Sequence, residues 1–432
     1  MIAFSENGRT HGNLARTQKL RVQMLVGIML CIGLPFAAAY SWRGAGVLSD
    51  PAIINTFFSS TAALLIGMYL SRQLTIFPGT RLREKVVPSF LLTFGFVAIV
   101  LLLSRIDYSR GLFASSLLLS LVVFNLRPFV SREWERMIFY TVPFGNREAI
   151  EDLESGQFIE MARPEPPAER NASIVVDFRA DLPADWERML AQAALQGTPV
   201  YHVKQLSETL TGKVKIEHIS ENNLGSLVPN FGYSKLKQFG DYAVALAAIP
   251  ALLPVIALVG LAIKIDSPGP IFFKQRRVGA RGQTFELYKF RSMRYRSELA
   301  QGGRERRTDA ITKSSDERIT RVGRILRRYR IDELPQFLNI LRGEMSLIGP
   351  RPEALELVGW YETELPFYSY RHIVKPGITG WAQVNQGHVS DLSAVSTKLQ
   401  YDFYYVKYLS LWIDILITMR TIRIVLSGFG AK

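Results

Sequence analysis

Tyr242-Ala-Val-Ala-Leu-Ala-Ala-Ile-Pro250-Ala-Leu-Leu-Pro254-Val-Ile-Ala-Leu-Val-Gly-Leu-Ala-Ile263 is a run of 22 uncharged residues with two prolines in its interior. It is long enough to cross the hydrocarbon core of a bilayer as a helix. Proline removes a helical hydrogen bond and forces a bend, so the run alone reads equally as a kinked spanning helix or as one that turns back. The residues that follow separate the two. From Lys264 through Arg351 there are 21 Lys/Arg against 10 Asp/Glu, a local excess of +11. A spanning helix would export this block, against the tendency of positive segments to stay on the cytoplasmic face. A re-entrant helix broken near Pro254 keeps it inside, provided protein or water covers the freed carbonyls.

Toward the N-terminus, Arg21 and Arg43 enclose 21 residues without a formal charge, and Asp50 and Arg72 enclose another 21. Val86 to Ser104 adds 19, and Gly111 to Leu126 adds 16, the last needing Arg110 and Arg127 to snorkel at its ends. Any one of these could be a buried core helix; together they predict four transmembrane helices within residues 1–135. The first is too long, and lacks the small-residue pattern, to read as a cleavable signal peptide. Arg9, Arg16, Lys19 and Arg21 precede the first helix, and Arg72, Arg81, Arg83 and Lys85 lie in the second loop. The first loop has only Arg43, and the third Arg105 and Arg110. This bias places both ends of the bundle in the cytoplasm.

The whole chain has 432 residues and a formal charge of +14. Its single cysteine, Cys31, rules out a disulfide framework and any cysteine-built metal centre. Five scattered histidines offer no H-x-x-x-H pair. Between the bundle and the basic block, residues 136–231 read as a soluble domain. Ser173 to Asp177 and Pro199 to Val203 are predicted strands, and Ala184 to Leu195 an amphipathic helix, which makes a βαβ unit. G-x-G-x-x-G is missing, and Thr141-Val-Pro-Phe-Gly145 supplies one glycine, so the expectation is a Rossmann-like module that binds no dinucleotide.

A basic block beside a membrane fits anionic lipid, nucleic acid or a phosphorylated substrate. No nucleic-acid motif or recurrent aromatic–basic pattern is present, which argues against nucleic acid as a partner. A P-loop and a D-x-D pair are also missing. Arg327-Arg-Tyr-Arg-Ile-Asp332-Glu333-Leu-Pro335 puts arginines ahead of two adjacent carboxylates. Asp332 can cap a helix over Leu334 to Leu341, with Glu333 and Pro335 in its first turn. Alternatively a carboxylate attacks phosphorus, its neighbour holds Mg²⁺, and arginines grip the phosphate oxygens. Lys289-Phe-Arg-Ser-Met293 ends a predicted strand with two cations that are either a solvated edge or part of such a site. Ser267-Pro-Gly-Pro270, Gly349-Pro-Arg-Pro352 and Pro376-Gly-Ile-Thr-Gly-Trp381 are tight-turn sequences. Leu409 to Leu426 reads either as an interfacial amphipathic helix or as one packed on the core.

In this order these segments resemble the bacterial sugar transferase family, the polyprenol-phosphate hexose-1-phosphate transferases, over roughly Lys237 to Lys432. The resemblance runs through Lys264 to Gly279, Lys289 to Met293, Arg318 to Arg327, Asp332-Glu-Leu-Pro-Gln336, Met345 to Glu353 and Lys375 to Val384. Four membrane helices and a soluble insert ahead of it are similar to the family's long members. The implied architecture is a membrane α-helical bundle plus α/β: four transmembrane helices (1–135), a Rossmann-like domain (136–231), and a monotopic catalytic α/β domain with a re-entrant helix (232–432).

The resemblance implies that Asp332 attacks the sugar-bearing phosphorus of a UDP-sugar and expels UMP, and that undecaprenyl phosphate then takes the phosphosugar. It assigns Mg²⁺ to Glu333, phosphate contact to Arg327, and a nucleotide-side position to Arg351. Gln275, Arg277, Lys289 and Arg291 match the family's basic frame, and Asp402 a further acidic position. Pro254 aligns with the break of the family's re-entrant helix. The implied setting is the bacterial inner membrane, multi-pass, with the catalytic domain on the cytoplasmic face among membrane lipid. There it would start exopolysaccharide, capsule or O-antigen synthesis, with UDP-glucose or UDP-galactose as the donor expected of long members. A second copy of the chain and downstream glycosyltransferases are the candidate protein partners. The alternatives are a catalytically inactive scaffold of a polysaccharide assembly complex and a glycosyltransferase that leaves the phosphate behind. Three departures from the family pattern are Gln238 after Lys237, Tyr329-Arg330 before the carboxylate pair, and a long connection from Arg294 to Asp316, read as a substrate-covering loop.

Overall fold

The computed structural model describes residues 21–73, 82–130, 138–146, 150, 157–169, 172–216, 229, 231–294, 318–386 and 391–427. The proposed covering loop lies, from 295 to 317, outside the described residues. The chain divides into two compact units, Met1–Gly212 and Lys213–Lys432.

In the first unit the uncharged runs form helices α1 (Arg21–Arg43), α2 (Pro51–Gln73), α3 (Leu82–Leu103) and α4 (Arg110–Val130). The first three carry apolar stretches long enough to cross a membrane; that of α4, Arg110–Leu126, is shorter, as the snorkelling argument requires. Ala63, Leu64, Met68, Phe90, Phe94, Phe113 and Phe124 fill the centre of the bundle. Thr56, Ser60, Ser89, Thr93, Ser116 and Ser120 are buried with them, while Leu25, Phe58, Phe96, Leu103 and Leu118 are more than half exposed. Large apolar groups outside as well as in the centre, with small hydroxyls buried between the helices, suit a lipid surround.

Four parallel strands follow: β1 (Ile138–Thr141), β2 (Gln157–Glu160), β3 (Ala172–Val176) and β4 (Val200–His202), in the order β2-β1-β3-β4. Every residue of β3 is buried, because helix α5 (Ala184–Leu195) packs on Ile174 and Val176 while Val203 and Leu206 of α6 (Val203–Thr211) cover Val175 on the other face. At the carboxyl edge Asp177 accepts the N–H groups of Asn146 and Arg179. A carboxylate of the chain itself thus occupies amide donors at that edge.

The second unit begins with α7 (Phe231–Asp266), 36 helical residues that run on through Pro250 and Pro254. The expected interruption at Pro254 is therefore not a loss of helix; proline bends a helix without having to end it. Both ends of α7 are fastened to one core. Near its start Asp241 accepts from Ser346 at 2.6 Å, and Ala245 packs on Phe285 and Leu287. Near its end Ile263 packs on Phe290 and Leu326, and Asp266 accepts the Val322 N–H. In between, Leu253, Leu258 and Leu261 are each more than 60% exposed.

Phe285, Leu287 and Phe290 share one strand of the antiparallel hairpin β5 (Phe272–Val278) and β6 (Thr284–Phe290). Then come α8 (Arg321–Arg328), a 3₁₀ turn (Ile331–Gln336) and α9 (Phe337–Leu341). Next are β7 (Ser346–Ile348), α10 (Leu355–Glu364), and β8 (Gly377–Thr379), which pairs in parallel with β7. Helices α11 (Trp381–Asn385), α12 (Leu392–Lys407) and α13 (Leu411–Ser427) close the unit. Ile413, Leu416 and Ile417 of α13 are buried while Leu411 and Ile422 stay exposed, so the last helix packs on the core with one face. The turns Gly349-Pro-Arg-Pro352 and Pro376-Gly-Ile-Thr-Gly380 lie backbone against backbone: a Cβ on Gly377 would strike the Gly349 amide, and one on Gly380 its carbonyl.

Candidate functional site

Arg330 sits at φ 58°, a left-handed conformation that a side chain adopts at a cost of about 1 kcal/mol or more. It breaks the chain direction between α8 and the 3₁₀ turn and sends both Asp332 and Glu333 inward, 8% and 5% exposed. Asp332 lies inside the turn and caps nothing. Its Oδ1 is buried and has no hydrogen-bond partner.

Glu333 is gripped on all sides. Arg351 donates to it with both guanidinium ends, at 2.7 and 3.4 Å. Lys289 Nζ lies 3.7 Å away and Arg330 Nη1 3.6 Å. Burial alone would raise the Glu333 carboxyl, but Arg351 and Lys289 overrule it and hold the group well below the usual carboxylate range. Asp332 goes the other way. Burial pushes it above its ordinary value, Glu333 adds to the rise, and Lys289, Arg351 and Arg327 only partly oppose them. Lys289, at the end of β6, is lowered to about 8, chiefly by burial. Neither it nor Arg291 is a solvated edge.

Three more predicted residues join this cluster or its rim. Arg277, Lys289 and Arg351 line one recess with Leu287, Gln336 and Pro352. Gln275 orients Arg277, accepting from its Nη2 at 2.6 Å, while Arg277 Nη1 donates to the Pro352 carbonyl. Arg327, at the end of α8, acts on Asp332 through its charge. Two residues are used elsewhere. Arg291 donates to the carbonyls of Ile263, Ser267 and Pro268 and ties down the end of α7. Asp402, 1% exposed, pairs with Arg371 at 2.8 Å.

Sequence reasoning passed over Gln336, although Asp332-Glu-Leu-Pro-Gln336 contains it, and Arg371, which no motif marked. Arg330, a departure from the family pattern, shapes the turn. The result is a recess lined by Arg277, Lys289 and Arg351, two of them paired with the buried Glu333, while the neighbouring Asp332 keeps a buried oxygen without a hydrogen-bond partner. That arrangement suits a polyanionic substrate attacked by a carboxylate, as in phosphoryl transfer.

The sequence profile described as bacterial sugar transferase matches residues 232–428. Over 409 residues the chain is 41% identical to the UDP-N-acetylgalactosamine-undecaprenyl-phosphate N-acetylgalactosaminephosphotransferase of Aeromonas hydrophila, covering 94% of this chain and 95% of that one. It is 43% identical over 187 residues to the UDP-glucose:undecaprenyl-phosphate glucose-1-phosphate transferase of Xanthomonas campestris pv. campestris, which is 43% of this chain and 37% of the relative. The exopolysaccharide production protein PSS of Rhizobium leguminosarum bv. phaseoli is 40% identical over 192 residues, 43% of this chain and 93% of that protein.

Proposed function

Because the chain belongs to the bacterial sugar transferase family, we propose that it transfers a sugar 1-phosphate from a UDP-sugar to undecaprenyl phosphate and releases UMP. The observation that carries this reading is the Asp332 Oδ1 atom, buried without a partner beside Lys289, Arg351 and Arg327. An Asp332 oxygen attacks the phosphorus that bears the sugar. The bond from that phosphorus to the bridging oxygen breaks, and UMP leaves with the electron pair. A phosphate oxygen of undecaprenyl phosphate then attacks the same phosphorus, and the carboxylate departs unchanged. No proton need move in either step. Lys289, Arg351 and Arg327 offset charge that builds on the phosphoryl oxygens.

Magnesium belongs to this proposal. It takes hard oxygen ligands and is commonly held by one or two carboxylates with phosphate oxygens and water. The free oxygen of Asp332 fits that pattern; both Glu333 oxygens already accept from Arg351, with Lys289 and Arg330 beside them, so an ion there would have to share Glu333 with these cations, and among the described residues no third metal-ligating side chain joins the pair. Glu333 would hold the ion, which would neutralise diphosphate charge.

The setting follows from the substrates. The polyprenyl tail cannot leave the bilayer, at about 0.8 kcal/mol per CH₂, and the charged UDP-sugar cannot enter it. The proposed site is at the cytoplasmic headgroup level of the inner membrane, with α7 as a re-entrant helix that bends at Pro254. The support is that both ends of α7 are bonded to one core, whereas a spanning helix has its ends on opposite sides. On this reading, Lys235→Cys and Pro270→Cys in a Cys31→Ser background label from the same side with an impermeant maleimide. Labelling from opposite sides overturns it. The all-parallel sheet with helices on both faces supports a Rossmann-like middle domain.

The relative that spans nearly the full chain is named for N-acetylgalactosamine and a shorter match for glucose, so the donor comparison covers both and galactose. The likeness to an exopolysaccharide production protein supports a role at the start of surface polysaccharide assembly. The test is to incubate the membrane-embedded protein with undecaprenyl phosphate, Mg²⁺ and each UDP-sugar. UMP should appear in step with undecaprenyl diphosphosugar. UDP in its place would mean transfer without phosphate, and no nucleotide release would leave the scaffold reading.

A further inference from the structure

Arg351 aims its guanidinium at Glu333 from a short loop between two prolines. Pro350 and Pro352 fix their own φ angles, but nothing in the loop itself fixes where the Arg351 side chain starts. The carbonyls do. Those of Pro350, Arg351 and Pro352 each accept a hydrogen bond: from the Gly377 N–H at 3.0 Å, from Arg371 Nη2 at 2.8 Å and from Arg277 Nη1 at 3.0 Å. Arg371 is 2% exposed and its guanidinium is fully committed. Nε and Nη2 meet Asp402, Nη1 donates to the Tyr368 hydroxyl, and Nη2 also reaches the Arg351 carbonyl. Asp402, on α12, therefore sets the plane of Arg371, and Arg371 in turn sets the height of the loop.

We infer that Arg371, oriented by Asp402, is the positioning residue that holds the Arg351 backbone so that its guanidinium reaches Glu333 and the substrate phosphates. Neither residue lines the recess. Asp402 thereby gains a role that acts through two arginines, Arg371 and Arg351. This inference rests on the phosphosugar transfer reading. It matters energetically because a buried ion pair whose planar fork also binds a carbonyl specifies geometry, which a lysine could not do with a single ammonium. Misplacing a reacting contact by about 1 Å can cost on the order of 100-fold.

The test is a double-mutant cycle on kcat/KM for UMP release with Asp402→Asn and Arg351→Ala. Asp402→Asn alone should lower kcat/KM about 10–100-fold. In the Arg351→Ala background the same change should cost less than about 2-fold, because the residue it serves is gone. Asp402→Glu should recover part of the loss. A merely structural role gives the opposite pattern: the two losses multiply, and that result overturns the inference. So does an Asp402→Asn variant of unaltered activity. Should Asp402→Asn fail to accumulate as folded protein, Tyr368→Phe, which frees only Nη1 of Arg371, takes its place in the cycle under the same criterion. Wild-type protein that releases no UMP removes the transfer reading and the inference with it. Wild-type turnover with multiplying losses removes the inference alone.

Discussion

Asp332→Asn should lose the burst of UMP that the parent protein gives when UDP-sugar is supplied without undecaprenyl phosphate, and its steady turnover should fall about 10⁴-fold or more. The magnitude follows from what removal of a covalent nucleophile does in other enzymes. The shape of the side chain is kept, so binding through Lys289, Arg351 and Arg277 survives. The carboxylate that forms the new bond to phosphorus is gone. In the parent protein the burst should equal one UMP per active site, because the phosphosugar stays on Asp332 until an acceptor arrives. A full burst from the Asn variant would sink the covalent mechanism, whatever its steady rate.

The second large effect concerns Lys289. Burial lowers it to about 8, so in the free enzyme its positive charge is lost as pH rises through that value. Asp332 is raised above its ordinary range, so its nucleophilic form is lost as pH falls. The profile of kcat/KM against pH should therefore be a bell whose alkaline limb lies near 8, since that ratio reports groups of the free enzyme. In kcat the alkaline limb should move up, because bound diphosphate favours charged Lys289. Lys289→Arg should abolish the limb. Lys289→Met should lower kcat/KM on the order of 10²–10³-fold, the effect of removing one preorganised charge-stabilising group. An alkaline limb that persists unchanged in Lys289→Arg would show that another group controls it.

How much of this was legible in the sequence depends on whether a feature is local. The membrane helices follow from uncharged run length. The central strand from Ala172 to Val176 and the helix from Ala184 to Leu195 follow from apolar spacing. The carboxylate pair and the cations ahead of it stand out because their types and order are unusual, and the structure does bring Glu333 together with Lys289, Arg330 and Arg351. What could not be read was which way each cation points. Lys289 and Arg291 are two residues apart on one segment, yet one faces Glu333 and the other the carbonyls ending α7. Alternation alone would put both on one face; Lys289 lies within β6 and Arg291 just past its end at Phe290, so the choice is made by where the strand stops and where α7 ends, which is tertiary information. The conformation of Arg330 was hidden too, since an arginine carries no signal for positive φ. Arg371 was invisible because its task is to hold a carbonyl 20 residues away in sequence.

The lone oxygen of Asp332 also bears on how durable the protein can be. A buried acceptor without a donor weakens a fold by about 1–3 kcal/mol. The raised Asp332 carboxyl gives the sign: the folded state favours the protonated form, so stability declines as pH climbs through that group's folded value and the charge is forced on. Above that value the resting enzyme is thus the less robust version of its own architecture. Neutral replacements at position 332 should melt a few degrees higher while being dead. Any search for heat-tolerant variants that does not also demand turnover will drift toward that position, and will select against the catalyst.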